Sequence, residues 1–307
     1  MKKEVSTPHL IKSVSELHHL FALTKPDHPL ISIIDFELLS YKHSDVWKYF
    51  TNDFYCITLK KGSNGNLKYG QMDYDFSEGM MTFTKPGQVF SVTAATDNPV
   101  QGYMLAFKPE IIRPYTLGKT IGNYSFFSYA ITEALHLSEK ESEIISSLLN
   151  QMQDELKNNI DHYSQDLIVS HIELLLNYSN RFYGRQFITR KGVNNDLLSQ
   201  LEQLLDRYFN SGISLDKGLP SVQFIAEQLH LSANYLSDLL RNTTGLSTQQ
   251  YVQQHIIEKA KQLLAGSTMT VSEIAYYFGF GYSQSFSKLF KKNTNQTPLE
   301  FRKSFSE

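Results

Sequence analysis

The sequence predicts an α+β protein of more than one domain, with a β-rich N-terminal region, amphipathic helices in the middle and an all-α C-terminal domain. Three observations lead to this prediction. The length of 307 residues fits about two domains. Short strand-like runs occupy residues 30–107, and helical periodicity dominates from residue 138 onwards. A hydrophobic content of 41% with 20% charged residues is typical of a chain with a folded core.

The strand-like runs begin with residues 53–60, which are rich in aromatic and β-branched side chains. Residues 62–66 then supply Gly and Asn, which favour turns because both tolerate positive φ. Further strands are predicted at residues 67–76, 80–85, 89–93 and 100–107. Several short strands separated by turns at this spacing predict a sandwich or a small barrel.

Two amphipathic helices are predicted between residues 138 and 187. Ser138 and Glu141 have the spacing of a capping box, and apolar residues then recur at helical intervals. The polar segment 188–195 is predicted to be a linker, and long helices are predicted at residues 196–210 and 248–265.

Charge and cysteine content narrow the possible functions. The chain has 29 Lys and Arg against 31 Asp and Glu, a formal net charge of −2, which argues against a uniformly basic coat or a polybasic membrane anchor. Cys56 is the single cysteine, so neither an intramolecular disulfide nor a Cys-based metal site is expected, and an ordinary buried thiol is the simplest interpretation. No signal peptide or membrane span is apparent, so a cytoplasmic protein without a membrane partner is expected.

An internal repeat flanks the long helix predicted at residues 248–265. The first copy covers residues 222–244 and the second covers residues 271–294. Apolar residues of the first helix in each copy match at an offset of 49, as in Ile225 and Ile274. Those of the second helix match at an offset of 50, as in Leu236 and Phe286. The extra residue must lie in the turn, because inside a helix it would rotate the apolar face.

Each copy therefore reads as a helix-turn-helix, whose second helix can enter the major groove of DNA. In the second copy the outward positions carry Gln284, Ser287, Lys288 and Lys291, followed by Lys292. Cations and hydrogen-bonding groups without an acid suit phosphates and base edges. In the first copy the outward positions carry Asn234, Ser237, Asp238, Arg241 and Asn242. Although phosphate would repel Asp238, a carboxylate can accept a hydrogen bond from the cytosine amino group.

The last 110 residues or so closely resemble the DNA-binding domain of AraC/XylS-type bacterial transcription regulators. The resemblance is carried by residues 225–226, 231–241, 245–247, 260–264, 271–275, 279–280, 286–292, 297–298 and 301–302. It implies seven helices, with two helix-turn-helix motifs joined by a long helix. The chain departs from the family pattern at Asp238, where Arg is frequent, at Asn242, where Lys is frequent, and at Asn295, where Gly is frequent.

The N-terminal region resembles, more loosely, the cupin-like effector domain of the same family, through residues 77–79, Phe83 and residues 86–88. Catalytic cupins bind a metal through several histidines and a Glu. His43 is the only histidine between Leu30 and Phe107, so neither a metal nor another cofactor is expected. The candidate ligand-binding residues are Trp47, Tyr55, Tyr69, Tyr74, Phe83 and Phe90. Core packing is the simpler interpretation of these aromatic residues.

The resemblance implies a transcription factor with a cupin-like sensor domain at residues 1–130, a helical dimerisation or linker region at 131–190 and a DNA-binding domain at 191–307. The expected partners are double-stranded DNA, a small-molecule effector, a second copy of the chain and, for an activator, RNA polymerase. The residues predicted to contact DNA are Asn234, Ser237, Asp238, Arg241, Gln284, Ser287, Lys288, Lys291, Lys292 and Arg302, with Lys259 as a further phosphate contact.

Two points stay open on the sequence alone. The middle helices either cover the sheet or form a dimer seam; the seam is favoured because paired DNA-binding domains gain affinity through effective concentration. Its predicted residues are Leu148, Met152, Leu167, His171, Leu174 and Leu175. The alternatives to a transcription factor are a cupin-type enzyme with an appended helical domain and a protein–protein adaptor.

Overall fold

The computed structural model describes residues 7–39, 45–61, 67–69, 72–74, 79–90, 101–158, 161 and 163–304. The chain forms two compact units, residues 1–186 and residues 187–307. The middle helices therefore belong mostly to the first unit. No helix in the described part of the chain is both long and apolar enough to cross a membrane.

The first unit is rich in short strands, as predicted. They are β1 (His9–Ile11), β2 (Ile31–Asp35), β3 (Phe50–Asn52), β4 (Tyr55–Lys61), β5 (Leu67–Tyr69), β6 (Met72–Tyr74), β7 (Met80–Thr84), β8 (Val89–Phe90), β9 (Gln101–Phe107) and β10 (Leu135–His136). They form three sheets, ordered β1-β3-β8, β10-β7-β4-β9-β2 and β5-β6. Among the described strands no sheet closes on itself, so the predicted barrel is replaced by separate open sheets.

Strand β4 lies at the centre of the five-stranded sheet, antiparallel to β7 and β9. Because side chains alternate along a strand, Cys56 faces one core and its neighbours Tyr55 and Ile57 face the other side. Cys56 is buried, and burial raises the pKa of its thiol to about 12. The interpretation of Cys56 as an ordinary buried thiol is thereby confirmed, because the reactive thiolate form is strongly disfavoured.

The helices of the first unit are α1 (Val14–Leu20), α2 (Pro109–Ile112), α3 (Thr116–Thr120), α4 (Glu139–Lys157) and most of α5 (Ser164–Thr189). The predicted capping box of α4 is confirmed: Ser138 Oγ accepts from the Glu141 amide at 3.3 Å, and Glu141 Oε2 accepts from the Ser138 amide at 2.9 Å. These bonds satisfy two amides that an α-helix leaves without partners at its start.

The second unit is helical. Its helices are α6 (Lys191–Asn210), α7 (Ile213–Lys217), α8 (Val222–Gln228), α9 (Ala233–Thr244), α10 (Thr248–Gly266), α11 (Val271–Tyr277), α12 (Ser283–Thr294) and α13 (Pro298–Lys303). The short α7 adds one helix to the seven that the family resemblance implies. Residues 188–195, predicted to be a linker, follow directly after the boundary between the two units and are helical except at Arg190, which separates α5 from α6. The buried side-chain amide of Asn194 donates to the Phe187 carbonyl, which explains this polar residue in a packed position.

The two helix-turn-helix copies end their first helix with the same hydrogen-bond pattern. Helices α8 and α11 are each followed, just after the C-cap, by a residue with left-handed backbone, His230 at φ 57° and Gly279 at φ 81°. The next amide in each copy donates back to an alanine carbonyl, Leu231 to Ala226 at 2.9 Å and Phe280 to Ala275 at 3.0 Å. This pattern is a Schellman motif, which satisfies carbonyls at the end of a helix. The predicted repeat is thus confirmed down to individual hydrogen bonds.

The position of the extra residue is also confirmed. The left-handed residues are 49 positions apart, whereas the helix N-caps that follow, Ser232 and Tyr282, are 50 apart. The additional residue of the second copy therefore lies between Gly279 and Tyr282, in the turn. Neither helix has to absorb the insertion, so both second helices keep their apolar faces aligned.

Replacing Gly279 with Ala should destabilise the second unit by at least about 2 kcal/mol, because the left-handed backbone disfavours a side chain and the site has no room for one. A Cβ at this position would lie 2.7 Å from the Ser214 carbonyl oxygen and 2.9 Å from Gly218 Cα. His230→Ala is the matched control, since the exposed His230 already bears a Cβ. Urea unfolding would measure both variants, and an equal stability of the two would contradict this account.

Candidate nucleic-acid interface

Helix α10 is the scaffold of the second unit, and both α9 and α12 contact it. The inner face of α9 is buried through Leu236, Leu239 and Leu240, and that of α12 through Phe286 and Phe290. Helix α10 itself buries apolar residues that recur one helical turn apart, namely Val252, Ile256 and Ala260. Burial of the inner faces leaves the opposite faces of α9 and α12 toward solvent.

The outer face of α12 is strongly basic. Gln284, Lys288, Lys291 and Lys292 are all exposed. Among the described residues, no carboxylate lies within ion-pairing distance of these three ammonium groups. Hydrogen bonds from Thr297 and, to a lesser degree, the charge of Lys291 hold the pKa of the Glu300 carboxyl below its usual range. The positive charge of this face is therefore open to an external anion.

The outer face of α9 carries much less charge. Asn234, Arg241 and Asn242 are exposed, while Asp238 is half-buried. Arg241 Nη1 lies 4.0 Å from Asp238 Oδ1, one helical turn away. This pair leaves the face without net charge but rich in hydrogen-bonding groups.

The repeat offset of 50 places these two faces in register. Asp238 corresponds to Lys288, Arg241 to Lys291 and Asn242 to Lys292. The two copies therefore share a backbone and differ in the charge of equivalent outer positions.

Two predicted contact residues have their hydroxyls engaged inside the domain. Ser237 Oγ donates to the Ala233 carbonyl at 2.8 Å and lies 3.3 Å from Thr248 Oγ1. Ser287 Oγ donates to the Ser283 carbonyl at 3.0 Å. Both serines are half-buried at equivalent positions of the repeat. Their geometry fits a packing role better than base reading.

Two predicted phosphate contacts also have structural partners. The guanidinium of Arg302 donates to the carbonyls of Leu264, at 3.1 Å, and Met269, at 2.6 Å. It thereby holds the C-terminal end of α10, where cations are favoured. Lys259 Nζ lies 3.0 Å from the Asp206 carboxylate of α6, which also accepts from His255 Nε2 at 2.9 Å. Burial lowers the pKa of His255, although Asp206 opposes this shift.

Sequence reasoning missed two exposed residues at the start of α12. Tyr282 is 74% exposed, and Ser285 is exposed beside Gln284. Ser285 was missed because the equivalent residue of α9, Tyr235, is buried, so comparison with α9 predicts an inward position. The sequence did contain a signal for Tyr282. At the repeat offset of 50 it aligns with Ser232, an ordinary helix N-cap, so a tyrosine stands where a capping residue is expected.

The aromatic residues predicted to line one ligand pocket lie in two separate clusters. Trp47 stacks on Phe21 with ring centroids 4.8 Å apart, and Phe90 joins the same cluster through Phe50. Tyr55 and Phe83 pack on Phe127 at 5.0 and 5.8 Å, on the other face of the sheet. The side chains of Tyr69 and Tyr74 lie outside the described residues. The four aromatic residues whose side chains the structure describes therefore do not line one common pocket.

The Trp47 cluster lies beside unusual polar atoms. In the described part of the chain, five buried side-chain atoms have no hydrogen-bond partner: Trp47 Nε1, Thr51 Oγ1, Asn52 Oδ1, Asp53 Oδ1 and Gln88 Oε1. Asn52 and Gln88 flank the paired residues Thr51 and Val89, so they are cross-strand neighbours on one face of the β3–β8 ladder. Such atoms are costly to bury without a partner.

A cavity of about 150 Å³ lies elsewhere in the first unit. It is lined by His28, Ile111, Glu155, Leu156, Asp161, Ser164, Gln165 and Ile168. None of the predicted ligand-binding residues lines it. Within the ranges that the structure describes, no three His, Cys, Asp or Glu side chains are grouped so that they could hold a metal ion.

Two family models match different parts of the chain. A helix-turn-helix domain model matches residues 225–304, which contain the second copy of the repeat and all but the first three residues of the first copy. A model described as the AraC-like ligand binding domain matches residues 41–167. Together they cover strands β3 to β10, helix α4 and most of the helical unit, but not β1, α1 and β2.

Curated relatives include bacterial transcription regulators. The chain is 26% identical to the HTH-type transcriptional regulator YijO of Escherichia coli, over 62% of this chain and 63% of the relative. It is 35% identical to the HTH-type transcriptional activator RhaS of Salmonella schwarzengrund, over 38% of this chain and 40% of the relative. These matches thus span less than two thirds of either relative.

Solved structures include full-length and domain matches of low similarity. ToxT from Vibrio cholerae is 15% identical, with a TM-score of 0.32, over 91% of this chain and 100% of that chain. The C-terminal domain of AraT from Geobacillus stearothermophilus is 26% identical, with a TM-score of 0.31, over 35% of this chain and 84% of that chain.

Proposed function

We propose that this chain, which belongs to the AraC/XylS-type family of bacterial transcriptional regulators, binds duplex DNA through α9 and α12 and thereby regulates transcription. The observation that carries the proposal is the pair of matching helix-turn-helix motifs on one scaffold helix, each with a polar outer face. A single helix pair with a polar face is common, but two in register, with the same Schellman hydrogen bonds, match the requirements of a two-site DNA reader.

In the proposed complex the two recognition helices enter successive major grooves, about 34 Å apart. Lys288, Lys291 and Lys292 contact phosphates and supply most of the affinity. Gln284 of α12 and Asn234 and Arg241 of α9 are the exposed candidates for base contacts. Ser237, Ser287 and Arg302 remain secondary candidates because the domain already uses their polar groups.

In the first helix-turn-helix, discrimination between DNA sequences is proposed to depend on Asp238 and Arg241, whose opposite charges cancel. Asp238 is placed to accept from a cytosine amino group, and Arg241 can donate to guanine. Because this copy gains little from counterion release, base contacts make up a larger share of its binding free energy than in the second copy.

The first unit is the proposed sensor of a small-molecule effector. The aromatic cluster of Trp47 supports this role better than the cluster of Tyr55 and Phe83, because Trp47 Nε1 is itself a buried donor without a described partner. An effector with both donor and acceptor groups would satisfy Trp47 Nε1 and the carbonyl oxygens of Asn52 and Gln88.

The chain is also proposed to act as a homodimer through α5. Of the predicted seam residues, Leu148, Met152 and Leu175 are buried inside the first unit and cannot be shared between subunits. Leu167 and Leu174, by contrast, are 46% and 44% exposed. With the half-buried His171 and Tyr178 they recur at intervals of four, three and four residues, the spacing of a coiled-coil seam.

The remaining assignments follow the relatives. The proposal gives the chain no catalytic step, a cytoplasmic location and, if it is an activator, contact with RNA polymerase. An adaptor protein would show no binding to any genomic duplex. A cupin-type enzyme would instead contain a metal ion, which metal analysis of the purified protein would detect.

Lys291→Ala should lower the slope of log affinity against log salt by about one unit. A complex that has lost one phosphate contact releases about one condensed counterion fewer when it forms. Lys288→Ala should also weaken binding. Mobility-shift titrations at several salt concentrations would measure both effects. Lys261→Ala is the control, since its ammonium pairs with Glu258 at 2.7 Å. An unchanged slope for Lys291→Ala would contradict the contact.

Trp47 is the only tryptophan of the chain, so its fluorescence reports on the proposed effector face. A panel of small hydroxylated and amino compounds should contain a ligand that shifts the emission and raises Tm. Asn52→Leu should lower the affinity for that ligand about tenfold. Tyr55→Phe, on the opposite face of the sheet, should leave the affinity unchanged. A panel without such a ligand, or the reverse response of the two variants, would contradict this location.

Leu174→Lys should convert a dimer into a monomer, because it places a charge in the seam of α5. Analytical ultracentrifugation of the full chain would measure the change. Asn180→Lys is the matched control, since Asn180 is exposed on the same helix but away from the stripe. A wild-type chain that stays monomeric at high concentration would rule out the seam.

A further inference from the structure

We propose that Tyr282 contacts DNA at the second helix-turn-helix, with its phenol hydroxyl donating a hydrogen bond to a phosphate oxygen of the duplex. The inference rests on the proposed function and deepens it. It adds an uncharged contact to the DNA phosphate backbone at the start of α12. The lysines of the same helix supply the charged phosphate contacts.

The first observation is that Tyr282 breaks a local rule that its neighbours obey. Five of the six helices from α8 to α13 begin with a Ser or Thr whose hydroxyl accepts from a first-turn amide. These N-caps are Ser221, Ser232, Ser247, Thr270 and Thr297. Helix α12 begins at Tyr282, which makes no side-chain capping bond. Tyrosine cannot replace a Ser cap, because its hydroxyl is too far from its own backbone.

The second observation is that the fold does not require a tyrosine here. At the equivalent position of the first copy, Ser232 Oγ accepts from the Tyr235 amide at 3.2 Å. The backbone of the two N-caps is extended in both copies, with φ −73° at Ser232 and −138° at Tyr282. A serine would therefore serve the second copy as it serves the first. A residue that breaks a local rule without a gain in packing indicates a functional site.

The third observation is exposure. Tyr282 is 74% exposed, which is the largest value among the exposed large hydrophobic residues in the described part of the chain. The side chain lies just before Gln284, on the helix whose lysines are open to an external anion. Tyrosine hydroxyls are among the groups that contact phosphates in protein–DNA complexes. The ring extends the side chain toward the DNA, and the hydroxyl at its end donates the hydrogen bond.

The proposed contact has a thermodynamic signature that differs from that of a lysine. A neutral donor releases no condensed counterion, so its loss weakens binding by the same factor at every salt concentration. Loss of a lysine contact instead changes the slope. A phosphate contact also carries no direct sequence information, so its loss weakens all duplexes alike.

The test compares wild type, Tyr282→Phe and Tyr282→Ser in the full chain. The probe is a duplex selected from a random 30-base-pair library by the wild-type protein. Tyr282→Phe should weaken binding by about two- to tenfold at each salt concentration, with an unchanged slope. Tyr282→Ser should weaken binding at least as much while raising the Tm of the helical unit by about 3 °C, because serine restores the cap.

Leu299→Ser is the control for loss of an exposed apolar side chain, and it should leave the affinity unchanged. Equal affinities of wild type and Tyr282→Phe would overturn the inference, as would a change of about one unit in the salt slope. A lower Tm of Tyr282→Ser would overturn it too, because Tyr282 would then serve the fold. A wild-type chain that selects no duplex would instead contradict the proposed function itself.

Discussion

The burial of α9 and α12 against α10 is the interaction on which the second unit depends. Each recognition helix buries two or three large apolar side chains, and each fully buried Leu or Phe contributes about 1.5–3 kcal/mol. This packing turns two short helices, which would be unstable alone, into rigid elements. Because the inner faces are occupied, the outer faces can carry residues chosen for a partner rather than for the fold.

The two Schellman turns set the angle at which each recognition helix leaves its predecessor. The first copy accepts His230 in the left-handed conformation because that residue is exposed. The second copy requires Gly279, since α7 and the loop after it approach the backbone there. The same turn is thus held by different residues, and the difference comes from what packs against each copy.

The two copies also divide the work of the proposed DNA complex. The second carries three lysines that form no ion pair with a described carboxylate, and its recognition helix begins at a tyrosine that makes no capping bond. The first carries a weak Asp238–Arg241 pair and an ordinary serine cap. Phosphate contacts dominate affinity, whereas base edges specify sequence. In this division α12 supplies anchoring, while α9 contributes more of the discrimination between sequences.

The sequence by itself determined the elements whose cause is local. The period of the apolar residues located the helices, and the change of offset from 49 to 50 located the extra residue of the turn. The Ser138–Glu141 capping box was readable for the same reason, since its partners are three residues apart. The resemblance then supplied the family, because its motifs fall on these local features.

Only the tertiary structure decided what depends on distant neighbours. Segment 188–195 is polar and contains a glycine, yet it is helical on both sides of Arg190, and the buried side chain of Asn194 donates to the Phe187 carbonyl. Arg302 and Lys259 looked like free cations, but carbonyls and a carboxylate from other helices hold them. The aromatic residues of the first unit belong to two faces of a sheet, a division set by strand register. Composition and spacing contain no information on such contacts, because they form only when the chain is packed.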